Sequence, residues 1–148
     1  FKTTSEFSLK DALMALGMTD AFGRADFSGM TGSKDLFISA VCRCAPPDNK
    51  PTPPEILACR PYLLREMDLL PNLQGVVALG RIAFDSLLSI TGASSRDLAF
   101  AHGAFYRLGP GKPWLLASYH PSRQNTQTGR LTVELFNLIW KMTQDVLV

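Results

Sequence analysis

Acidic residues are missing from a long stretch of this chain. Between Leu98 and Val133 there is no Asp or Glu, while Arg107, Lys112, Arg123, Arg130 and both histidines, His102 and His120, fall inside it. A one-sign window among polar loops suits an anionic partner; a solvated loop face is the plainer alternative. Cysteine is scarce as well, with three in 148 residues, at Cys42, Cys44 and Cys59. An odd number gathered in the first 60 positions is not a disulfide framework. The C-x-C-x14-C spacing suits a thiol-held metal or cluster, but three thiolates are one short of the four that close such a site. Buried thiols are the alternative for each. No apolar run approaches the roughly 18 residues of a membrane span. The opening FKTTSEF lacks the basic start and apolar centre of a signal peptide. The expectation is a cytoplasmic protein with no membrane partner. The formal charge of +2 is too small to specify nucleic acid by itself.

What is present is a regular alternation of elements. Ser8 to Asp11 has capping-box spacing and predicts a helix over Leu9–Leu16, stopped by Gly17. LFISAV, Leu36–Val41, reads as a short buried strand. APPDNKPTPP, Ala45–Pro54, holds five prolines in ten residues, which forbids helix or central strand and predicts a rigid loop. Thr52, Pro53 and Glu55 then start a helix reaching about Leu70, with Pro61 bending it. GVVAL predicts a buried strand over Gly75–Leu79, with Gly80 turning the chain into a helix over Arg81–Ile90. Strands are expected over Phe100–Leu108 and Trp114–Tyr119, joined by a turn at Pro110–Pro113. A last helix spans about Leu131–Val146. The order implies an α/β fold with a partly parallel sheet covered by helices. Ligands of such sheets sit at the carboxyl ends of strands. SYHPSRQNTQTGR, Ser118–Arg130, occupies that place and leads to a helix N-terminus, where free amides suit a phosphate.

The strings CAPPDNKPTPPEILACRPYLLREMDLLP, VVALGRIAFDSLL, FAHGA and LASYHPSRQNTQTGRLT, in that order, resemble the uracil-DNA glycosylase superfamily, and within it the type-5, iron–sulfur branch of bacteria and archaea. The resemblance covers about residues 41–148. It implies a three-layer α/β/α fold and a base-excision repair enzyme. Such an enzyme extrudes uracil or a related deaminated base from DNA and hydrolyses its bond to deoxyribose. It implies that His120 donates to a uracil oxygen as the base departs. Pro121 and Ser122 would shape the loop, with Ser122 offered to a phosphate. Arg123, Gln124, Asn125 and Gln127 would project toward the minor groove, and Thr128, Gly129 and Arg130 would meet backbone phosphates. His102 with Gly103 is a weaker candidate in the same pocket region. A structural 4Fe–4S cluster is also implied. Only Cys44 and Cys59 match its ligands, so this chain could equally hold none, and Cys42 has no counterpart.

Residues 1–40 resemble something else, an internal piece of a serpin, most clearly in LKDALMALGMTDAF and ADFSGM. The chain therefore reads as a chimera, 1–40 serpin-like and 41–148 glycosylase-like, with the N-terminal half of the glycosylase fold absent. That half would supply the first cysteine pair and the motif that positions water. Where the family places a uracil-reading Asn, this chain has Ser39 or Ala40, neither of which offers the paired contacts of an amide. The expectation is weak DNA affinity and little or no activity. The alternatives are an inactive DNA-binding remnant, a serpin-derived fragment without inhibitory activity, and a zinc site built from the cysteines and a histidine. A sheet edge left open invites self-association.

Overall fold

A computed structural model describes residues 39–42, 51–94 and 96–147, excluding the side chain of Arg123. The helix expected over Leu9–Leu16, half of the first strand, most of the proline loop, and Cys44 lie outside those residues. The part of the first strand that is described, Ser39–Val41, is not in a strand.

Helix α1, Pro53–Asp68, begins where the prolines predict. The Thr52 hydroxyl accepts from the Glu55 amide at 3.4 Å and donates to the Glu55 carboxylate at 2.8 Å. Prolines at the first two helical positions forfeit no intrahelical bond. The helix continues through Pro61. Strand β1, Gly75–Leu79, and helix α2, Arg81–Thr91, follow. Strand β2 is only Phe105–Arg107, shorter than its apolar run predicts, and β3 is Trp114–Ser118. Helix α3, Arg123–Gln127, stands inside the segment read as a loop, and helix α4, Val133–Val146, closes the chain.

The sheet order is β1-β3-β2, with β1 parallel and β2 antiparallel to β3. β3 is the central strand and all five of its residues are buried. Its side chains alternate between faces, as strand geometry requires. Leu115 and Ala117 join Ala78, Phe84, Leu87 and Leu88 in a core under α2, with Phe100 and Tyr106 at its margin. Trp114 and Leu116 join Ile139 of α4 on the other face, beside Val77 and Phe105. Helices thus cover both faces, the α/β layering expected. Each fully buried aliphatic side chain contributes about 1.5–3 kcal/mol. In α4 the buried residues Phe136, Ile139, Trp140 and Thr143 fall on one helical stripe.

The shortening of β2 has a local cause. Gly103 adopts φ +83°, a conformation foreign to an L-residue strand, and the Ala104 amide closes a turn onto Ala101 O at 3.0 Å. Phe100 packs edge-on against Phe84, with ring centroids 5.5 Å apart. Its burial therefore comes from a loop lying on the core.

Candidate active site

The carboxyl ends of β1 and β3 meet at Gly80 and His120. The Gly80 amide donates to Ser118 O at 2.8 Å, extending the parallel pairing by one residue before the chain turns into α2. Gly80 has φ +98°, so a side chain there would be strained. A Cβ at that position would also lie 3.2 Å from His120 Cβ. The backbone of Gly80 therefore forms one wall beside His120. The sequence signal for this wall is an apolar strand, then glycine, then a helix, which identifies a turn but not its neighbour.

His120 is held through its carbonyl. That oxygen accepts from the Ser122 amide at 2.7 Å and from the Asn125 side-chain amide at 2.9 Å. Asn125, expected to project toward DNA, thus fastens the loop to itself. Ser122 is the N-cap of α3, its hydroxyl accepting from the Asn125 amide at 3.2 Å. Thr126 and Thr128 donate their hydroxyls to Ser122 O and Gln124 O at 3.0 and 2.8 Å. Gly129 follows in a left-handed conformation, φ +73°. Buried Pro121 and Leu131 anchor the two ends of the segment. The loop is a small capped helix pinned at both ends, with Gln124, Gln127, Thr128, Gly129 and Arg130 left exposed. The Arg130 guanidinium lies over the Tyr119 ring, 4.7 Å from its centroid, a cation–π contact that presents the charge beside His120.

The His120 side chain is open to solvent on one side and crowded on the other. The crowding removes water from the ring and lowers its pKa below that of an ordinary imidazole. At neutral pH the ring is uncharged and keeps one N–H to donate. His102 is placed differently. Its Nδ1 accepts from the Tyr119 amide at 3.0 Å, and its Nε2 lies 3.0 Å from Leu135 O. Both nitrogens are engaged by the protein.

Two of the three thiols, Cys42 and Cys59, are among the described residues. Cys42 Sγ and Cys59 Sγ are 3.9 Å apart, Cys59 buried on α1. The cysteine without a family counterpart is thus the one seen beside Cys59. Among the described residues no group of three or more His, Cys, Asp or Glu could hold a metal, and the chain has three cysteines in all. These donors do not make a complete four-thiolate site for the implied cluster. Nor do the described residues gather thiols and a histidine into a zinc site. A cavity of about 330 Å³ beside Arg107, Lys112 and Trp114 opens at the opposite end of the sheet.

Comparison with known proteins places these features. A family described as the uracil DNA glycosylase superfamily matches residues 1–144. A type-5 uracil-DNA glycosylase of Thermus thermophilus is 54% identical over 101 residues, 68% of this chain and 46% of that protein. One from Mycobacterium tuberculosis is 39% identical over 132 residues, 88% of this chain and 49% of that protein. One from Pyrobaculum aerophilum is 35% identical over 127 residues, 86% of this chain and 54% of that protein. The chain spans about half the length of these curated relatives. The family match runs through residues 1–40 and lends no support to a serpin-derived segment.

Proposed function

Because the chain belongs to the uracil-DNA glycosylase superfamily, we propose that it excises uracil or a related deaminated base from DNA, with His120 as the donor to the departing base. The observation that carries this reading is His120 itself: a neutral imidazole at the joined ends of β1 and β3, its backbone clamped by Ser122 and Asn125. Breaking the glycosidic bond leaves negative charge on the base and positive charge on the sugar. A fixed N–H aimed at the base oxygen stabilises that charge without reorganising. A neutral donor suits the task, because it does not hand a full proton to the base. Arg130 and the exposed polar positions 124 and 127–129 supply phosphate and groove contacts, which weaken as salt rises. No step is assigned to an iron–sulfur cluster, whose ligand set these residues leave incomplete. Among the described residues no helix is long and apolar enough to cross a membrane.

A second reading, DNA binding without excision, is favoured by Ser39. Ser39 is one of the two residues, with Ala40, that stand where the resemblance expects a base-reading Asn, and its hydroxyl donates to the Glu66 carboxylate. The two readings separate in one experiment. The chain is incubated with single- and double-stranded oligonucleotides carrying one uracil, and with undamaged controls, and abasic sites are converted to breaks. Breaks only at uracil support excision. Salt-sensitive binding with no breaks replaces it with the binding module.

The pH dependence follows from His120. If the neutral ring is the donor, the rate is constant at neutral pH and falls as acid protonates the ring. Burial lowers the pKa, so this acidic limb lies below the ordinary histidine value of about 6.5. A pH–rate profile under single-turnover conditions checks it, and a rate that rises on acidification across that range would require the charged ring instead.

A further inference from the structure

Tyr119, immediately before His120, sits where β3 leaves the sheet. On the β1 side the ladder ends with the Gly80 amide on Ser118 O. On the β2 side the last backbone exchanges are Ala117 N–H to Ala104 O at 2.9 Å and Gly103 N–H to Ala117 O at 2.8 Å. There Gly103, at φ +83°, turns the chain away. The Tyr119 amide points to the side where a neighbouring strand carbonyl would continue the ladder, and it meets His102 Nδ1 at 3.0 Å instead. The imidazole stands in for a strand carbonyl.

The tautomer follows. A backbone N–H can only donate, so Nδ1 carries the lone pair and the ring proton resides on Nε2. Nε2 then donates to Leu135 O, in the first turn of α4, at 3.0 Å. The same ring stacks on Tyr119, with centroids 4.9 Å apart and planes 30° apart, while Tyr119 carries the Arg130 guanidinium. One side chain therefore ties together the end of the central strand, the start of the last helix and the aromatic ring under Arg130.

We propose that His102 is a positioning residue for the His120 loop, fixing the Tyr119–His120 peptide through an acceptor at Nδ1 and anchoring it to α4 through a donor at Nε2. This rests on the excision reading for its catalytic consequence, though not for its geometry. It assigns His102 no contact with the base, since both its nitrogens are already engaged. The requirement is specific: an aromatic ring alone would keep the stacking but leave the Tyr119 amide without an acceptor. An Asn at this position places its side-chain oxygen near Nδ1, and a Gln reaches toward Nε2.

The test compares His102→Asn, His102→Gln and His102→Phe with the parent protein. For His102→Phe we expect single-turnover excision to fall by about 10- to 100-fold, the scale of a misplaced catalytic group, with DNA affinity within about threefold. His102→Asn should recover most of the rate and His102→Gln less. Far-ultraviolet dichroism and thermal melting check each variant for folding, and His102→Asn carries the test if His102→Phe does not fold. Equal rates in folded parent and His102→Phe, or parallel losses of rate and affinity in all three, would overturn the proposal. Nitrogen-detected NMR of the imidazoles gives a readout free of activity. The His102 ring of the parent should show the Nε2–H tautomer. The His120 ring signals should move in His102→Phe and return toward the parent in His102→Asn. If the parent excises nothing, the excision reading fails and these signals still decide the positioning role. The Nδ1–H tautomer, or unmoved His120 signals, would refute it.

Discussion

Replacing His120 by alanine should slow excision by about 10²- to 10³-fold, the usual cost of deleting one preorganised donor to a developing anion. Stability should scarcely change. The residue is exposed overall, one side of its ring open to solvent, and substitutions at exposed positions usually stay within about 0.5 kcal/mol. The bonds that hold the loop run through the His120 carbonyl, which alanine keeps. The loop, α3 and its Ser122 cap should therefore survive. DNA binding should fall by no more than a few-fold, because the exposed positions of α3 and Arg130 remain. The measurement is single-turnover cleavage at saturating protein, beside a thermal melt and a binding titration. A loss below about threefold would remove His120 as the donor. A large loss accompanied by a lower melting temperature would make its role structural. His102→Phe offers the useful contrast: it leaves His120 in the chain and disturbs only where it stands.

Legibility in the sequence tracked the range of the forces involved. Thr52, Pro53 and Glu55 announce α1 because capping and proline geometry act within one turn, and the structure starts the helix there. β1 and β3 are apolar runs that a buried parallel pair requires, and both fall within a residue of their expected limits. As expected, the proline at 61 does not end the helix. Its missing N–H costs an intrahelical bond, yet the helix continues past it, with Cys59 and Leu63 buried on either side. β2 is over-read because Phe100 is apolar for a reason that alternation cannot show, its contact with Phe84. α3 is invisible to hydrophobic periodicity, since RQNTQ has no apolar face. Its only local sign is Ser122 three residues before Asn125, a pairing that serves the cap. His120 stands out through the resemblance of HPS-x-x-N to a known family. Gly80 does not, because its importance lies in what touches it from a strand forty residues away in the chain. The engagement of both His102 nitrogens is equally non-local, depending on Tyr119 and Leu135 together.

Gly75→Ala should destabilise the protein by about 3 kcal/mol, the upper end of ordinary overpacking, and lower its Tm by roughly 6–12 °C. Gly75 pairs with Trp114 in the β1–β3 register. A Cβ there would lie 1.9 Å from the indole atoms Cδ2 and Cε2, so the ring would have to move. It has little freedom to do so. Trp114 is 7% exposed and packs with Leu116 and Ile139 under α4, and its ring centroid lies 5.7 Å from that of Phe105. Among the described residues its Nε1 is buried without a partner, so there the side chain is held by shape and not by a hydrogen bond. Glycine in a strand ordinarily weakens it; here the missing side chain is the space the indole occupies. Pairing Gly75→Ala with Trp114→Leu separates this clash from any backbone effect. A smaller side chain removes the collision, so the second substitution should cost less in the Gly75→Ala background than alone, a coupling that a double-mutant cycle measures directly. Additive losses would place the cost in the backbone of β1. A Gly75→Ala protein as stable as the parent would mean that the indole does not lie over Gly75, and that the face of the sheet beneath α4 is packed differently.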